Sequence, residues 1–437
     1  MTDRSRPVPS ARLARLAAFG QIAGGVATGV LGEGVRRLAR GERPQLPDLL
    51  LTPANARRVA GQLSRLRGAA MKLGQMLSMD AGDLLPPELT AILAQLRDQA
   101  HVMPPRQLDT ALVQAWGPDW RRRFARFEAR PLAAASIGQV HRAVLPSGQE
   151  LAVKVQYPGV AASIDADIDN VATLLRLSGL LPPGLDIAPH LAEAKRQLRE
   201  EADYLREARQ MLRYAALLEG DSRFAVPRPV DDLLHPAVLP MTFQAGAPVE
   251  TLAQAPAERR DAALGALIDL VLRELFDFGL MQTDPNFANY RWQAQTGRIV
   301  LLDFGAVRPV APETAASWRA LLRAGLSGDA ARVREALGSA DLISAAQDRR
   351  HGAAIEAMIG LVLARLEDSR GGVFDFADRS VAAHLRDRAA PLLADRDSWH
   401  LPPAEMLFAQ RKISGTALLC ARLGARVPIL DILARHA

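Results

Sequence analysis

Hydrophobic and polar positions follow two different periods along this chain, and the switches between them outline its elements. Apolar residues recur at helical spacing over the stretches 54–80, 87–99, 106–116, 192–218 and 261–279. Strand-like patterns cover 127–143, 150–155, 238–243 and 299–302, with a Ser-Gly turn at 147–148. After residue 311 the pattern is helical to the end, with breaks near 328, 371 and 402. This mixture predicts an α+β protein.

The length and composition indicate a folded protein of more than one domain. At 437 residues the chain is long enough for two or three domains. Hydrophobic residues make up 49% and charged residues 23%, which is typical of a globular chain. The one cysteine, Cys420, excludes an intramolecular disulfide framework and a cysteine-cluster metal site.

An apolar, glycine-rich segment occupies residues 16–32, with arginines on both sides. As a helix it is about 25 Å long, short of the ~30 Å hydrocarbon core of a bilayer. Its glycines at 20 and 24, and at 25 and 29, permit close approach of helices in a membrane. It lacks a clear signal-peptide cleavage site. Two alternatives stay open: a helix packed on the protein, or one that spans or lies on a membrane.

The charge balance is basic, with 54 Lys and Arg against 48 Asp and Glu. The arginines are scattered among acidic residues on helical faces, without aromatic interleaving or a reader motif, so no nucleic acid partner is predicted. A solvated surface is the simpler explanation, and anionic lipid is the next. Where arginine replaces almost every lysine, a retained ammonium indicates a specific contact, such as a tight one to phosphate. The lysines are Lys72, Lys154, Lys195 and Lys412.

Two short stretches, 281–290 and 301–305, carry the candidate chemistry. Asp284 precedes Asn289 by five residues, and Asp303 opens an Asp-Phe-Gly triplet directly after a predicted strand. An ATP site of the protein-kinase type needs this spacing, because one carboxylate faces the acceptor while an amide and a second carboxylate hold Mg²⁺ against the phosphates. The combination predicts Asp284 as the catalytic residue, with Asn289 and Asp303 as metal ligands.

A phosphate-binding lysine and a tight turn are predicted nearer the N-terminus. Lys154 lies inside the predicted strand 150–155, where a small nucleotide-binding lobe carries such a lysine. The turn between the first two predicted strands has Ala133, Ala134, Ala135 and Ser136 where a protein kinase has glycines. Alanine methyl groups limit how closely backbone N–H groups approach phosphate, and they restrict φ. The turn is therefore predicted to bind nucleotide differently from a glycine loop.

An acidic stretch within the predicted helix 192–218 supplies partners for the cations. Glu207 is the candidate partner of Lys154, and Glu201 or Asp203 is placed to reach a second cation. Residues 201 and 207 are close to two helical turns apart, so both carboxylates are expected on similar sides of one helix. An ordinary solvated, Glu-rich helix face is the alternative.

Together these stretches resemble the UbiB family of atypical protein-kinase-like proteins, also called the ABC1, AarF or ADCK family, and its Coq8-like branch in particular. The glycine-rich segment and the pair Arg411 and Lys412 also match that branch, so the likeness covers nearly the whole chain. The matching motifs are KLGQ (72–75), AAASIGQVH (133–141), VK (153–154), EAD (201–203), QTDPNxxN (282–289) and DFG (303–305).

The resemblance implies a bilobal, protein-kinase-like α+β fold with a helical N-terminal extension. The KLGQ motif of that extension covers the place where a peptide substrate docks in protein kinases. By the same analogy Lys72 pairs with Glu201 over the active site. The implied parts are an N-terminal segment with the glycine-rich helix at 1–48, the extension at 49–122, an N-lobe at 123–246 and a helical C-lobe at 247–437.

Two departures from protein kinases bear on the substrate. Gln282 and Thr283 stand where a protein kinase has His-Arg, which removes the arginine that reads a phosphorylated activation loop. Only a handful of residues separate Gly305 from an Ala-Pro-Glu triplet at 311–313, which leaves no room for that loop. By the family resemblance, the first departure is normal for the Coq8-like branch, and the loss of that arginine is consistent with the absence of the loop.

For function, the resemblance implies an ATP-dependent atypical kinase or ATPase that supports ubiquinone or related isoprenoid-quinone biosynthesis, with hydrolysis favoured over protein phosphorylation. The expected cofactors are ATP or ADP and Mg²⁺. The expected partners are nucleotide, anionic lipid or a membrane surface, and quinone-biosynthesis enzymes or lipid intermediates; a homodimer is left open. The expected location is cytoplasmic and peripheral to a membrane.

The alternative function is a catalytically silent, nucleotide-binding scaffold that organises membrane biosynthetic enzymes. The joint presence of Asp284, Asn289, Asp303, Lys154 and Glu207 argues against it, because a silent scaffold need not keep all five. Phosphate transfer to a small-molecule or lipid-linked acceptor is a variant of the enzymatic hypothesis, and a protein kinase is less favoured. The acceptor, the pathway step and the oligomeric state are not determined by the sequence.

Overall fold

The structure is a computed structural model that describes residues 103–135, 137–177, 188–395, 398, 400 and 402–437. The glycine-rich segment, the KLGQ motif with Lys72, and Ser136 lie outside the described residues. The α-helices of the described chain are α1 Pro105–Trp116, α2 Val160–Leu177, α3 Ala188–Ala202, α4 Tyr204–Leu217, α5 Ala257–Phe276, α6 Pro312–Ser327, α7 Ala330–Ser339, α8 Ala345–Glu367, α9 Ser380–Ala394, α10 Ala404–Leu423 and α11 Ile429–Ala434.

The structure has strands within all four stretches that the alternating pattern predicted, 127–143, 150–155, 238–243 and 299–302. The other strands are two or three residues long and were not predicted, because such short strands carry no readable periodicity. The strands are β1 Arg126–Phe127, β2 Ala133–Ala134, β3 Gly138–Val144, β4 Glu150–Gln156, β5 Phe224–Ala225, β6 Val238–Thr242, β7 Ala247–Pro248, β8 Leu280–Gln282, β9 Tyr290–Trp292, β10 Ile299–Leu301, β11 Val307–Pro309, β12 Phe374–Asp375 and β13 Arg426–Val427.

The chain divides into two compact units. Among the described residues, the first comprises those up to Arg209 together with Arg228–Phe243, and the second comprises those within Gln210–Pro227 and Gln244–Ala437. The predicted boundary near residue 246 differs from this division mainly because residues 210–227 belong to the second unit. The four-part division of the whole chain stays a prediction.

An antiparallel sheet in the order β1–β3–β4–β6, with β2 paired to β3, organises the first unit. The middle of β4 is buried, since Leu151, Val153 and Val155 are all fully inaccessible to solvent. They pack with α1, which contributes Leu108 and Leu112 to the same core. On the opposite face of β4, Lys154 and Gln156 are also buried. A charged side chain there needs a buried partner.

The second unit is built on α5, a 20-residue helix that is buried along most of its length. Two pieces of sheet lie in this unit: β5–β10–β9–β7, and the antiparallel pair β8–β11. Helix α10 packs against α5, and buries Met406, Ala409 and Leu419. Strands β8 and β9 border the segment that carries Asp284, so this unit positions Asp284 and Asn289.

Among the helices of the described residues, none combines the length and the apolar character that crossing a bilayer requires. The glycine-rich segment at 16–32 lies outside the described residues.

Candidate active site

Lys154 is a buried cation in the middle of the first unit's sheet. It lies opposite Val140 of β3 on one side and Leu239 of β6 on the other. Its Nζ lies 2.7 Å from Glu207 Oε1, and the two side chains are 11% and 1% exposed. The Nζ also lies 5.6 Å from the centroid of the Tyr204 ring, within reach of a cation–π interaction. The ion pair predicted from the sequence is present, and burial protects it from screening by salt.

Glu207 is placed by a helix break that the sequence analysis did not predict. The single helix predicted over 192–218 is instead two helices, α3 and α4, with Asp203 between them. Asp203 Oδ1 accepts a hydrogen bond from the backbone N of Arg206 at 2.8 Å, which caps the first turn of α4. Glu207 lies in that turn. The prediction that Glu201 and Glu207 share one side of one helix is wrong because they lie on different helices.

Glu201 is half-buried near the end of α3. The end of this helix is tied to the sheet, because Gln156 Nε2 on β4 donates to the backbone O of Ala202 at 2.6 Å. Lys72, the partner that the family resemblance implies for Glu201, lies outside the described residues. The Lys72–Glu201 pair therefore stays a prediction.

The alanine-rich turn joins β2 to β3 at the rim of the sheet. Ala133 and Ala134 are exposed on β2 and pair with Val140 and Gln139 of β3. The backbone N of Ala135 donates to the O of Gly138 at 2.8 Å, so this N–H is used within the turn. The role of the turn in binding nucleotide stays a prediction.

Gly138 ends that turn under tight steric constraint. A Cβ at this position would collide with the backbone O of Val155 and would touch the hydroxyl of Tyr204. The absence of a side chain therefore lets β3, β4 and the start of α4 approach closely. The same close packing holds Lys154 beside Glu207, because Lys154 lies next to Val155 and Glu207 lies one turn beyond Tyr204.

His141, the last residue of the AAASIGQVH motif, has a structural role. His141 is fully buried, its Nδ1 lies 2.8 Å from the backbone O of Glu128, and its Nε2 lies 2.8 Å from Gln139 Nε2. Burial lowers the pKa of His141 and outweighs the hydrogen bond to Glu128, so the ring is neutral. A neutral ring that donates to the carbonyl through Nδ1 accepts from the Gln139 amide through Nε2. Gln139 Oε1 in turn accepts from the backbone N of Met103 at 2.9 Å.

In the second unit, Asp284 and Asn289 lie together in the segment 283–289, which we call the Asp284 loop. Asn289 Nδ2 donates to Asp284 Oδ2 at 3.2 Å. The backbone N of Asn286 donates to Asp284 Oδ1 at 3.2 Å. Both side chains are half-buried. The two hydrogen bonds fix the orientation of the carboxylate. Asn289 contributes its amide nitrogen to this contact, and its amide oxygen is the atom of the side chain that can bind a cation.

Asp303 lies on a neighbouring segment that is bonded to the Asp284 loop. The backbone N of Leu302 donates to the O of Asn289 at 3.0 Å, and Thr283 binds the O of Ala306 through both its N, at 3.1 Å, and its Oγ1, at 2.8 Å. Asp303 Oδ1 accepts from the backbone N of Gly305 at 2.9 Å. Asn289 and Asp303 line the same small cavity. The structure thus brings Asp284, Asn289 and Asp303 onto adjoining backbone segments.

The chemistry of this donor set suits Mg²⁺. Carboxylate and amide oxygens are hard ligands, which Mg²⁺ prefers, and it takes one or two protein carboxylates together with phosphate oxygens and water. Asp303 supplies carboxylate oxygens to this set and Asn289 supplies an amide oxygen. The residues therefore fit the ion that the spacing predicted.

Sequence reasoning missed the buried residues that hold the Asp284 loop at its ends. Gln282 was noted only as a departure from kinases, and Tyr290 received no role. Both accept hydrogen bonds from Lys412, which is 1% exposed. The rarity of lysine and the match of Arg411 and Lys412 to the Coq8-like branch singled out Lys412, but neither signal pointed to these partners.

Comparisons with known proteins place these residues in a family. The family model described as the ABC1 atypical kinase-like domain matches residues 95–337. The atypical kinase COQ8, mitochondrial, of Saccharomyces cerevisiae is 37% identical over 429 residues, which cover 98% of this chain and 85% of that protein. The atypical kinase COQ8B, mitochondrial, of Rattus norvegicus is 37% identical over 437 residues, with 99% and 82% covered.

One solved structure resembles the fold over most of its length. The complex of Rv3197 with erythromycin from Mycobacterium tuberculosis aligns with a TM-score of 0.59 and 26% identity, covering 85% of this chain and 92% of that one. The family model spans more than half of the present chain, and the relatives match nearly all of it. The chain therefore belongs to the ABC1 atypical kinase-like family, in its Coq8-like branch, and has the kinase-like α+β fold of that family.

Proposed function

We propose that this protein is an ATP-dependent enzyme that moves the γ-phosphoryl group of ATP to water, or to a small-molecule or lipid-linked acceptor, in support of ubiquinone or related isoprenoid-quinone biosynthesis. The observation that carries the proposal is the oxygen-donor set of Asp284, Asn289 and Asp303 on adjoining, mutually bonded segments. In the hydrolytic form, ATP and water give ADP and inorganic phosphate.

The metal and the phosphates are held by different groups in this proposal. Asn289 and Asp303 hold Mg²⁺, which neutralises charge on the phosphate oxygens when it is bound. Lys154 contributes a second positive charge near the phosphates. Glu207 keeps the Lys154 ammonium in place, because Nζ and Oε1 are 2.7 Å apart in a buried setting. Electrostatic groups that are already fixed stabilise developing charge without reorganisation.

Asp284 orients the attacking hydroxyl group in this proposal. Its carboxylate is fixed by hydrogen bonds from Asn289 Nδ2 and from the backbone N of Asn286. A fixed carboxylate accepts a hydrogen bond from water or from an acceptor hydroxyl and aligns its oxygen for in-line attack. The proton of that hydroxyl group passes to Asp284 or to solvent as the new bond to phosphorus forms.

A small acceptor or water is favoured over a protein by the short connection after Asp303. Strand β11 follows two residues after Gly305 and pairs with β8, with Val307 opposite Gln282. Helix α6 then begins at Pro312. The described chain has no extended segment here of the kind on which protein kinases dock a peptide.

Phosphate release tests the proposal directly. We expect slow ATP turnover by the purified full-length protein, faster in the presence of vesicles that contain anionic lipid. A parallel reaction with γ-labelled ATP and candidate lipid or protein acceptors distinguishes hydrolysis from transfer. If nucleotide raises the thermal stability but no phosphate or labelled product appears, the protein is a silent scaffold and the proposal is wrong.

The alanine-rich turn provides a second test, because its methyl groups limit how closely the backbone approaches phosphate. For Ala134→Gly we expect ATP and ADP to bind about three- to tenfold more tightly, as roughly one stronger charge-assisted hydrogen bond would give. Isothermal titration calorimetry measures the change. The control is Ala161→Gly at an exposed position of α2, which loses stability as a helical glycine does but keeps the affinity. Unchanged affinity in Ala134→Gly would remove the turn from the site.

The cellular location of the protein is also a proposal. The yeast and rat relatives are named as mitochondrial proteins. For this chain we propose peripheral association with a membrane, on the cytoplasmic side, through the glycine-rich segment and anionic lipid. The predicted lipid dependence of phosphate release follows from that association.

A further inference from the structure

Helix α10 touches the Asp284 loop through a buried lysine. Lys412 Nζ donates to Gln282 Oε1 at 2.8 Å and to the hydroxyl oxygen of Tyr290 at 2.7 Å. Gln282 is the last residue of β8 and Tyr290 is the first residue of β9, so the two acceptors stand immediately before and after the Asp284 loop. One ammonium group therefore holds both ends of the segment that carries Asp284 and Asn289.

The lysine is part of a wider buried cluster. Glu274 Oε2 on α5 lies 3.7 Å from Lys412 Nζ. Glu274 Oε1 accepts from the Tyr214 hydroxyl at 2.9 Å and from the backbone N of Gln282 at 3.4 Å. Burial alone lowers the pKa of Lys412, but the Glu274 carboxylate and Tyr290 outweigh it, so the pKa is raised and the ammonium is charged.

Stability is a weak explanation for this cluster. Taking two charges out of water costs several kcal/mol each, and a hydrophobic substitute of similar volume often does as well or better. Within the part of the chain that the structure describes, Glu274 Oε2 and Gln282 Nε2 are buried and make no hydrogen bond. Buried polar atoms without a hydrogen bond add to the cost. A cluster that stabilises so inefficiently is better explained by the fixed geometry that it imposes.

A second contact of α10 reaches the loop without any charge. Gly415 lies one turn after Lys412, and a Cβ at this position would collide with the Cβ of Pro285. Pro285 directly follows Asp284 in the chain. Pro285 of the loop therefore packs directly against the backbone of α10 at Gly415. Lys412 binds the two residues that flank the loop.

We infer that α10 sets the position of the Asp284 loop, with Lys412 as a positioning residue for Asp284 and Asn289. The ammonium joins Gln282 to Tyr290, and Glu274 fixes the ammonium. The loop between them is held at the width at which Asn289 Nδ2 reaches Asp284 Oδ2. This inference rests on the proposed function, since it is the proposed chemistry that needs the loop fixed. A displacement of about 1 Å can cost on the order of 100-fold in rate.

The first test separates positioning from stability. We expect Lys412→Met to lower kcat for phosphate release by about 10- to 100-fold, with the KM for ATP changed less than about threefold, because the substrate still binds while the reacting groups are misplaced. Lys412→Met also leaves Glu274 without its partner and lowers the melting temperature. The double variant Glu274→Gln with Lys412→Met removes both charges, so we expect stability to return towards the wild-type value while kcat stays low.

The second test does not depend on turnover. Hydrogen exchange of the nucleotide-free protein reports on the backbone amides of 283–289, and we expect them to exchange faster in Lys412→Met and in Gly415→Ala. The control is Leu419→Ala, a buried position on the same helix outside the cluster. It lowers the melting temperature through a cavity, but we expect its kcat per folded molecule to match the wild type.

The results of these two tests distinguish a failure of the inference from a failure of the proposed function. If the double variant regains both stability and kcat, the cluster serves stability alone and the inference is wrong. If exchange over 283–289 is unchanged in Lys412→Met and Gly415→Ala, the loop does not depend on α10, and the inference is again wrong. If the wild-type protein releases no phosphate while the variants exchange faster over 283–289, the proposed function fails and the positioning role stands.

Discussion

Replacing Asp303 with asparagine is expected to reduce ATP turnover by at least about 100-fold, the scale on which removal of one preorganised electrostatic group acts. The substitution removes a negative charge from the proposed metal site but keeps an oxygen at the Oδ1 position. That oxygen accepts from the backbone N of Gly305 at 2.9 Å, so the local turn is expected to survive. Phosphate release at saturating Mg²⁺ and ATP measures the loss.

A matched asparagine substitution distinguishes this effect from a general loss of charge. Asp277 follows α5 in the same unit and its side chain is 51% exposed. We expect Asp277→Asn to keep wild-type turnover and Asp303→Asn to keep a wild-type melting temperature within about 2–4 °C, the change that about 1 kcal/mol causes in a unit of this size. Undiminished turnover in Asp303→Asn contradicts the proposed active site.

Replacing Lys154 with methionine is expected to produce the largest combined loss of nucleotide affinity and stability. The change removes the ammonium near the phosphates and takes from Glu207, which is 1% exposed, the cation at 2.7 Å from its Oε1. Breaking one side of a buried ion pair costs about 3–5 kcal/mol. Thermal unfolding with and without Mg²⁺ and ADP measures both effects, since bound nucleotide stabilises only a protein that binds it.

The chain offers a close control for this variant. Lys195 pairs with Asp169 at 2.6 Å, nearly the same distance, but Asp169 is 61% exposed. Surface pairs contribute about 0–1 kcal/mol, so we expect Lys195→Met to leave stability and nucleotide binding nearly unchanged. The double variant Lys154→Met with Glu207→Gln is expected to regain stability without regaining affinity. If affinity returns as well, Lys154 acts on the fold and not on the phosphates.

Local features of the fold were predictable because each depends on a few neighbouring residues. The strand that holds Lys154 and the turn at 147–148 follow from alternation and from turn-forming residues. The helix 106–116 follows from apolar spacing and is present as α1. The break at Asp203 was missed, because an aspartate that caps a new helix looks in sequence like one more polar residue of a helix that continues.

The candidate site was predictable in its residue types but not in its supports. Asp284, Asn289 and Asp303 are recognised by spacing, because they lie on one short stretch of chain. The supports of the loop come from far away: Lys412 lies 130 residues from Gln282 and 122 residues from Tyr290. Nothing in the local pattern of α10 indicates which buried groups its lysine will meet.

The sequence by itself determined the family of this protein, the α+β character of its fold, and the acidic, amide and ammonium groups of its proposed chemistry. These properties depend on residue types and on short spacings along the chain. The tertiary structure alone decided that Glu207 lies in the first turn of a separate helix, that Thr283 and Ala306 bind the two acidic segments together, and that α10 holds the Asp284 loop. The physical reason is that a buried charge must find its partner wherever the folded chain supplies one, and that partner's position in the sequence is unconstrained.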